Sequence, residues 1–402
     1  MAMPESPPLR WAWRGALALF VLAALTGAFF RFATAHGGAL GLDLTNVRHA
    51  HSHLMYFGWA TPALFALIAR RLPRLGGRPI PRAGLVVGVT FGLALLSYPP
   101  FLLYGYTPAR IGTAELPLSV MAAGFNVLTW YAFAGLYRQA RRGAPPSLPL
   151  RLFDLALCFL VLATLGAWGL PVLLLTGSES PALMSALTHV FLDVFSEGWF
   201  VLGVLGLAAA EAGRDSRLAR WGVALAAAGV PFTFALGMPA ALVPPLFAVL
   251  SRVGGVLVGA GLVLVAAALW PGLRGLWRLA LGLLALKALG QVAVGVVPGA
   301  AWTAVPSFRI LYLHLMLLGF VTLGLVAAAR AAWGEGATRG RRLLAAAVLV
   351  VLGSLLTLTP LWPAAWGGAW VAELVAWCAL LPVLAAGWMA AARTLTPHPV
   401  PS

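Results

Sequence analysis

The sequence contains few charged residues and almost no cysteine. Charged side chains make up 9% of its 402 residues, whereas 61% are hydrophobic and only 11 are acidic. This composition excludes a soluble protein, because water would face a mostly apolar surface. The two cysteines, Cys158 and Cys378, both lie inside apolar runs, which argues against a disulfide framework or a thiolate metal site.

Apolar runs of about 20 residues recur along the chain, which is the length that an α-helix needs to cross a bilayer. The alternating pattern of barrel strands is absent, so the sequence predicts an all-α integral membrane protein of about twelve transmembrane helices. No linker or soluble segment interrupts the runs, and residues 1–402 are predicted to form a single polytopic membrane domain. The predicted spans are 11–30, 46–69, 83–105, 117–137, 152–176, 182–210, 218–238, 246–270, 277–298, 307–329, 343–362 and 368–392.

Basic residues are distributed unevenly between alternate loops. With the amino terminus inside, 21 of the 27 basic residues fall on the inner side, four on the outer side (Arg31, Arg48, Arg110 and Arg309) and two within helices (Arg252 and Lys287). This positive-inside pattern predicts that both termini are cytoplasmic and that the protein is a multi-pass protein of the inner (plasma) membrane. The net charge of +16 therefore reports topology, and the expected partner is membrane lipid, with no nucleic acid.

Three predicted spans, the second, sixth and tenth, carry His53, His189 and His314. Each histidine lies eight residues beyond a plausible helix start, at Thr45, Pro181 and Pro306, so the three imidazoles are expected about 12 Å below the outer ends of their helices, in one layer. The regular spacing of these spans predicts three four-helix arcs. A layer of imidazoles is typical of a metal or haem plane, which makes all three residues candidate metal ligands.

The segments after two of these histidines resemble each other. The sequence from His53 reads His-Leu-Met-Tyr-Phe-Gly-Trp, and the sequence from His314 reads His-Leu-Met-Leu-Leu-Gly-Phe. A haem held between two helices needs an axial imidazole from each helix and small residues nearby. The repeat therefore predicts a haem, most simply haem b, on His53 and His314, with His51 left open as the alternative to His53.

A polar stripe follows the histidine of the sixth span. His189, Asp193 and Glu197 recur every four residues and therefore share one helix face. Carboxylates inside a membrane must face protein or water, so this stripe suggests proton delivery, or metal ligation by Asp193. In the ninth span Lys287 could pair with Glu373 or with a haem propionate.

Together these features resemble the catalytic subunit of the haem-copper oxidase superfamily, in which twelve helices form three arcs. The segment from Ala50, Ala-His-Ser-His-Leu-Met-Tyr-Phe, is similar to that family's haem-ligand segment. The sixth span looks most like that of nitric oxide reductases. The resemblance implies that His189 is a ligand of a non-haem metal, copper or iron, that Asp193 is a ligand or acid, and that Glu197 belongs to a proton path.

The sequence also departs from that family. Residues 217–244 contain no histidine where the family has two further metal ligands, and Tyr312 stands where the family has the ligand of the active-site haem. A looser resemblance links the chain to the NnrS-like membrane proteins of nitric oxide tolerance, although Leu54 replaces their acidic residue. The expected function is electron transfer or nitric oxide handling, with an incomplete non-haem site. The oxidoreductase activity is left open, and a separate cytochrome c or a quinol is the expected electron donor.

Two other functions remain open from the sequence. Twelve spans with cytoplasmic ends also suit a secondary transporter, and the arginine-rich segment 70–78 loosely resembles the conserved loop of the major-facilitator family. That family's loop aspartate is missing here. The third reading is a haem-less structural or assembly relative of the oxidase fold.

Overall fold

A computed structural model describes residues 9–177, 180–297 and 305–391 of the chain. These residues fold almost entirely into helices, apart from a two-stranded antiparallel hairpin, β1 (Ala109–Ile111) and β2 (Ala114–Leu116), in which Arg110 pairs with Glu115. The helices are α1 (Arg10–His36), α2 (Leu44–Leu75), α3 (Ala83–Tyr104), α4 (Leu118–Arg141), α5 (Leu148–Leu175), α6 (Pro181–Ala212), α7 (Arg217–Gly229), α8 (Pro245–Leu269), α9 (Leu276–Val296), α10 (Pro306–Trp333), α11 (Arg341–Leu356) and α12 (Trp370–Ala391).

Ten helices of the described part of the chain are long and apolar enough to cross a membrane. The protein is therefore an all-α, multi-pass membrane protein, as the sequence predicts. The two shorter helices are α7, with 13 residues, and α11, with 16 residues. The terminal segments 1–8 and 392–402, on which the predicted position of both termini depends, lie outside the described residues.

The chain divides into two compact units that alternate along the sequence. The first contains residues 1–70, 81–129 and 326–402, and the second contains residues 71–80 and 130–325. Within the first unit, α1 packs against α2 and α12, and α11 packs against α12. Within the second unit, α8 packs between α7 and α9, and α5 packs against α6. The prediction of a single domain stays a prediction.

The three helices that carry the predicted layer of histidines share an unusual geometry. An α-helical stretch of 10 residues in α2, and of 9 residues in α6 and α10, ends at His53, His189 and His314. A π-helical segment begins at the next residue in each case and covers Leu54–Ala60, Val190–Val201 and Leu315–Thr322. Because π-helical turns are rare and concentrate at functional sites, they single out these three histidines.

The same three helices are the most enclosed by protein among the ten candidate spans. Between 67% and 83% of their most apolar stretch is buried, against 33% to 50% in the other seven. Lipid cannot form hydrogen bonds with imidazole or carboxylate groups, so helices with polar faces must be surrounded by other helices. The burial agrees with the polar residues that these helices carry.

Glycines bring α8 into backbone contact with its neighbours in the second unit. A Cβ atom added to Gly261 would lie 2.7 Å from the backbone nitrogen of Ala226 in α7, and one added to Gly259 would lie 2.6 Å from the carbonyl oxygen of Ala288 in α9. Small residues at such positions let membrane helices approach closely, and van der Waals contacts then hold the helices together.

We predict that Gly261→Leu lowers the thermal stability of the detergent-purified protein, by about 1–3 kcal/mol, because the new side chain must separate α7 from α8. Gly282→Leu in α9 is the matched control, since nothing lies within 4 Å of the position of its Cβ atom. Equal melting temperatures for the two variants would contradict this packing.

Candidate functional site

A network of buried polar side chains joins α6, α9 and α10 in the second unit. Lys287 donates from Nζ to Glu197 Oε1 at 2.6 Å and to Gln291 Oε1 at 2.6 Å. Gln291 donates from Nε2 to Glu197 Oε1 at 2.9 Å, and the hydroxyl of Tyr312 donates to the same oxygen at 2.5 Å. The side chains of Lys287 and Glu197 are 0% and 4% exposed, so these contacts are shielded from any solvent.

The hydrogen-bond donors around Glu197 determine whether its carboxylate can be charged inside the protein. Three side chains donate to its carboxylate, and an ionised carboxylate is retained inside a protein when such donors and a cation surround it. The cation is Lys287, whose Nζ also lies 4.7 Å from the centre of the Tyr312 ring. The network is therefore a charge pair with its partners supplied by the protein, as a membrane interior requires.

A second polar cluster lies one to two turns nearer the start of α6. Arg309 of α10 donates from Nη1 to the carbonyl oxygen of Gly237 at 2.7 Å, and its Nη2 lies 2.9 Å from His189 Nδ1. A guanidinium can only donate, so His189 Nδ1 is the acceptor in this contact. Asp193 Oδ2 lies 3.3 Å from the same Nδ1. It is buried and accepts no hydrogen bond from the residues that the structure describes.

A small cavity of ≈ 20 Å³ lies between the two clusters, which is room for about one water-sized molecule. Apolar atoms of Leu236 and Leu313 form part of its wall. Its polar lining consists of Asp193, Glu197, Thr233, Gln291, Arg309 and Tyr312. The structure thus brings together three residues predicted from sequence, Asp193, Glu197 and Tyr312.

The histidines of α2 lie in the first unit and make two different kinds of contact. His51 Nδ1 lies 2.7 Å from the carbonyl oxygen of Ala23, and Gly27 packs against the His51 ring so closely that a Cβ atom there would lie 2.8 Å from Cε1. His53 Nε2 lies 3.0 Å from the hydroxyl of Tyr106, and its ring stacks on Phe101 at 3.8 Å between centroids.

Groups in the loops beside α2 stabilise the amino-terminal part of this helix. Asp43 caps it by accepting hydrogen bonds from the backbone nitrogens of Thr45 and Asn46, which lower the pKa of its carboxyl group. Burial raises the pKa of Tyr106, in the loop after α3, to about 12, so this phenol stays protonated at physiological pH. The phenol is therefore available as a hydrogen-bond donor to His53.

His314 belongs to the second unit. Its Nδ1 lies 2.7 Å from the carbonyl oxygen of Ile310, one turn earlier in α10. His51 and His314 thus share one feature, a hydrogen bond from Nδ1 to a backbone carbonyl. His53 is in the first unit, and its predicted pairing with His314 on one haem stays a prediction.

Several residues of the site were not predicted from sequence. The observed partner of Lys287 is Glu197, whereas Glu373 pairs with His36 at 3.4 Å in the first unit. Arg309 was assigned to the outer side of the membrane, and Gly237 ends the short helix Phe234–Gly237 that follows α7. A charged residue three positions before Tyr312, on the same face of α10, was the available signal for Arg309.

Of the metal ligands that the resemblance implies, His189 and Asp193 lie together, but they are not part of a larger cluster of ligands in the described part of the chain. No group of three or more His, Cys, Asp or Glu side chains there could hold a metal ion. At His189 the arginine occupies the nitrogen atoms that a metal would need, so these residues do not fit a non-haem metal. Comparisons with protein-family models and with curated proteins found no match for the chain.

We predict that Lys287→Met costs about 3–5 kcal/mol of stability, because it leaves the buried carboxylate of Glu197 without its cation. Thermal unfolding in detergent measures this loss. The double variant Lys287→Met/Glu197→Gln removes both charges and should recover much of it. Arg220→Met is the control. Arg220 pairs with Asp215 at the surface, so this variant should unfold at the same temperature as the wild type. A double variant no more stable than Lys287→Met would show that the charge pair does not matter.

Proposed function

We propose that this chain is a haem-binding membrane protein of the haem-copper oxidase type, in which His51 and His314 would ligate haem b, and that it acts in electron transfer or nitric oxide handling. The observation that carries the proposal is the hydrogen bond from Nδ1 of each histidine to a backbone carbonyl. A carbonyl only accepts, so Nδ1 carries the proton and Nε2 carries the lone pair. This is how proteins orient histidines that bind iron through Nε2.

The contacts in the first unit favour His51 over His53 as the ligand. Gly27 lets the backbone of α1 approach the His51 ring closely, and the hydrogen bond from Nδ1 of His51 to Ala23 of the same helix fixes the orientation of the ring. His53 uses Nε2 for the hydroxyl of Tyr106 and packs its ring face on Phe101. His53 would then support the ligand helix, while Tyr106 and Phe101 hold it in place.

When bound, haem would supply one-electron transfer, with a separate cytochrome c or a quinol as the donor. The residues of the second unit would provide fixed charges beside α10, the helix that carries His314. Tyr312 lies on the same helix and donates to Glu197, and Lys287 balances the charge of that carboxylate. The negative charge of the Glu197 carboxylate is therefore buried as part of a pair that has no net charge.

The proposed protein has twelve spans, with both termini on the cytoplasmic side of the inner membrane. The distribution of basic residues supports this arrangement. A 3₁₀ turn and a short helix extend α7 as far as Gly237, and the 16 residues of α11 are about 24 Å long. Both segments thus come close to the length of a membrane crossing.

Single cysteines in the hairpin between α3 and α4 and in the loop between α4 and α5 would test the membrane topology. In a background without Cys158 and Cys378, Glu115→Cys should react with a membrane-impermeant maleimide added to intact cells. Arg142→Cys should react only after the cells are permeabilised. Labelling of both sites, or the reverse order, would contradict the proposed orientation.

The haem proposal predicts the reduced-minus-oxidised visible spectrum of the detergent-purified protein, expressed with haem supplied. The wild type should show a sharp α-band. His51→Ala and His314→Ala should each lose it, because each variant removes one axial imidazole. His53→Ala and the surface variant His36→Ala should keep it.

The other outcomes of this experiment would change the ligand assignment or refute haem binding. Loss of the band in His53→Ala and not in His51→Ala would return the ligand assignment to His53. A band that survives both His51→Ala and His314→Ala would overturn the ligand assignment. A colourless wild type would refute haem binding, and the substrate flux of a transporter would then be the property to measure.

A further inference from the structure

The cluster around His189 differs in kind from the site that the family resemblance implies. A non-haem metal would need a lone pair from His189 and further ligands around it. In this chain the nitrogen Nδ1 accepts a hydrogen bond from Arg309, and Nη1 of the same guanidinium lies 3.4 Å from Nε2. One permanently charged side chain therefore covers both ring nitrogens.

Arg309 is held in this position from two sides. Its Nη1 donates to the carbonyl oxygen of Gly237, in the short helix that follows α7, and its Nη2 donates to His189 in α6. Gly237 itself has no room for a side chain, because a Cβ atom there would collide with His189 Nδ1 and would lie 2.8 Å from Asp193 Oδ2. The guanidinium, the imidazole, the carboxylate and the Gly237 backbone therefore converge on one point.

We infer that Arg309 takes the place of the non-haem metal in this protein, so that a fixed guanidinium provides the positive charge beside the cavity. The charge is needed there because Asp193 lines the same cavity, whereas the charge of Glu197 is balanced by Lys287. Arginine stays protonated under all physiological conditions, and its planar donors match a nitrogen and a carbonyl oxygen at the same time. The cavity then presents guanidinium donors and a carboxylate acceptor to a molecule about the size of water.

The inference rests on contacts within the second unit and goes beyond the haem proposal. It also accounts for His189 and Asp193 in a chain that has no histidine in residues 217–244. These two side chains orient the arginine or balance its charge and need no metal. Removal of Arg309 should then expose a set of metal ligands, namely His189, Asp193 and the carbonyl oxygen of Gly237.

The test is a metal titration of the purified protein, with Zn²⁺ and Cu²⁺ as the probes and haem quantified separately in the same samples. The wild type should bind neither ion in a way that depends on His189. Arg309→Ala should bind Zn²⁺ at least about tenfold more tightly than the wild type, and His189→Ala in the same background should abolish the gain. Arg252→Ala is the control, because Arg252 donates its hydrogen bonds to the backbone carbonyl oxygens of Gly295 and Val296.

Two results would overturn the inference. One is a wild-type equivalent of non-haem metal that disappears in His189→Ala. The other is an Arg309→Ala protein that folds, by its thermal transition and elution profile, and yet gains no metal affinity. If Arg309→Ala does not fold, Arg309→Gln replaces it, since glutamine can still donate to Gly237 but cannot supply the charge. Haem content stays at the wild-type value in each variant if the haem proposal holds, so the two proposals fail separately.

Discussion

The second unit depends on burying a full pair of charges between membrane-spanning helices. Glu197 in α6 and Lys287 in α9 form this pair, and Tyr312 of α10 completes it. Removing two charges from water is costly, and the cost is recovered only when every donor and acceptor has a partner at good distance. The four side chains of the network are therefore interdependent, and together they fix which faces of α6, α9 and α10 meet.

The same constraint explains why the histidine-bearing helices are the most enclosed. A histidine or a carboxylate on a helix that faces lipid would have no hydrogen-bond partner, so helices rich in such groups must be surrounded by protein. The π-helical segments begin directly after these histidines and change the directions in which the following side chains point from the helix axis. In α6 this segment includes both Asp193 and Glu197, so the backbone geometry and the placement of the two carboxylates are linked.

Much of the fold could be predicted from the sequence, because hydrophobic length and basic loops report directly on membrane crossing. The starts of α6 and α10 agree with the predicted starts at Pro181 and Pro306, and α2 begins one residue before Thr45. The hairpin at Ala109–Leu116 and the π-helical segments were not predicted, since hydrophobic periodicity distinguishes neither a short loop hairpin nor a wider helical turn.

The candidate site was predicted in part. The four-residue spacing indicated that Asp193 and Glu197 lie on one face, but nothing local to the sequence identifies Lys287 as the partner of a residue 90 positions away. Arg309 was missed for a related reason. An arginine near a helix start reads as a residue at the membrane surface, and only the folded chain shows it turned toward His189.

The most direct test of the central claim is the haem content of the wild-type protein by the pyridine haemochrome method. The protein should be purified from cells supplied with haem and compared with a membrane protein of similar size that binds none. The proposed function predicts haem b at about one or more per chain, retained through size-exclusion chromatography. A protein that elutes as a stable, folded species without haem would contradict it.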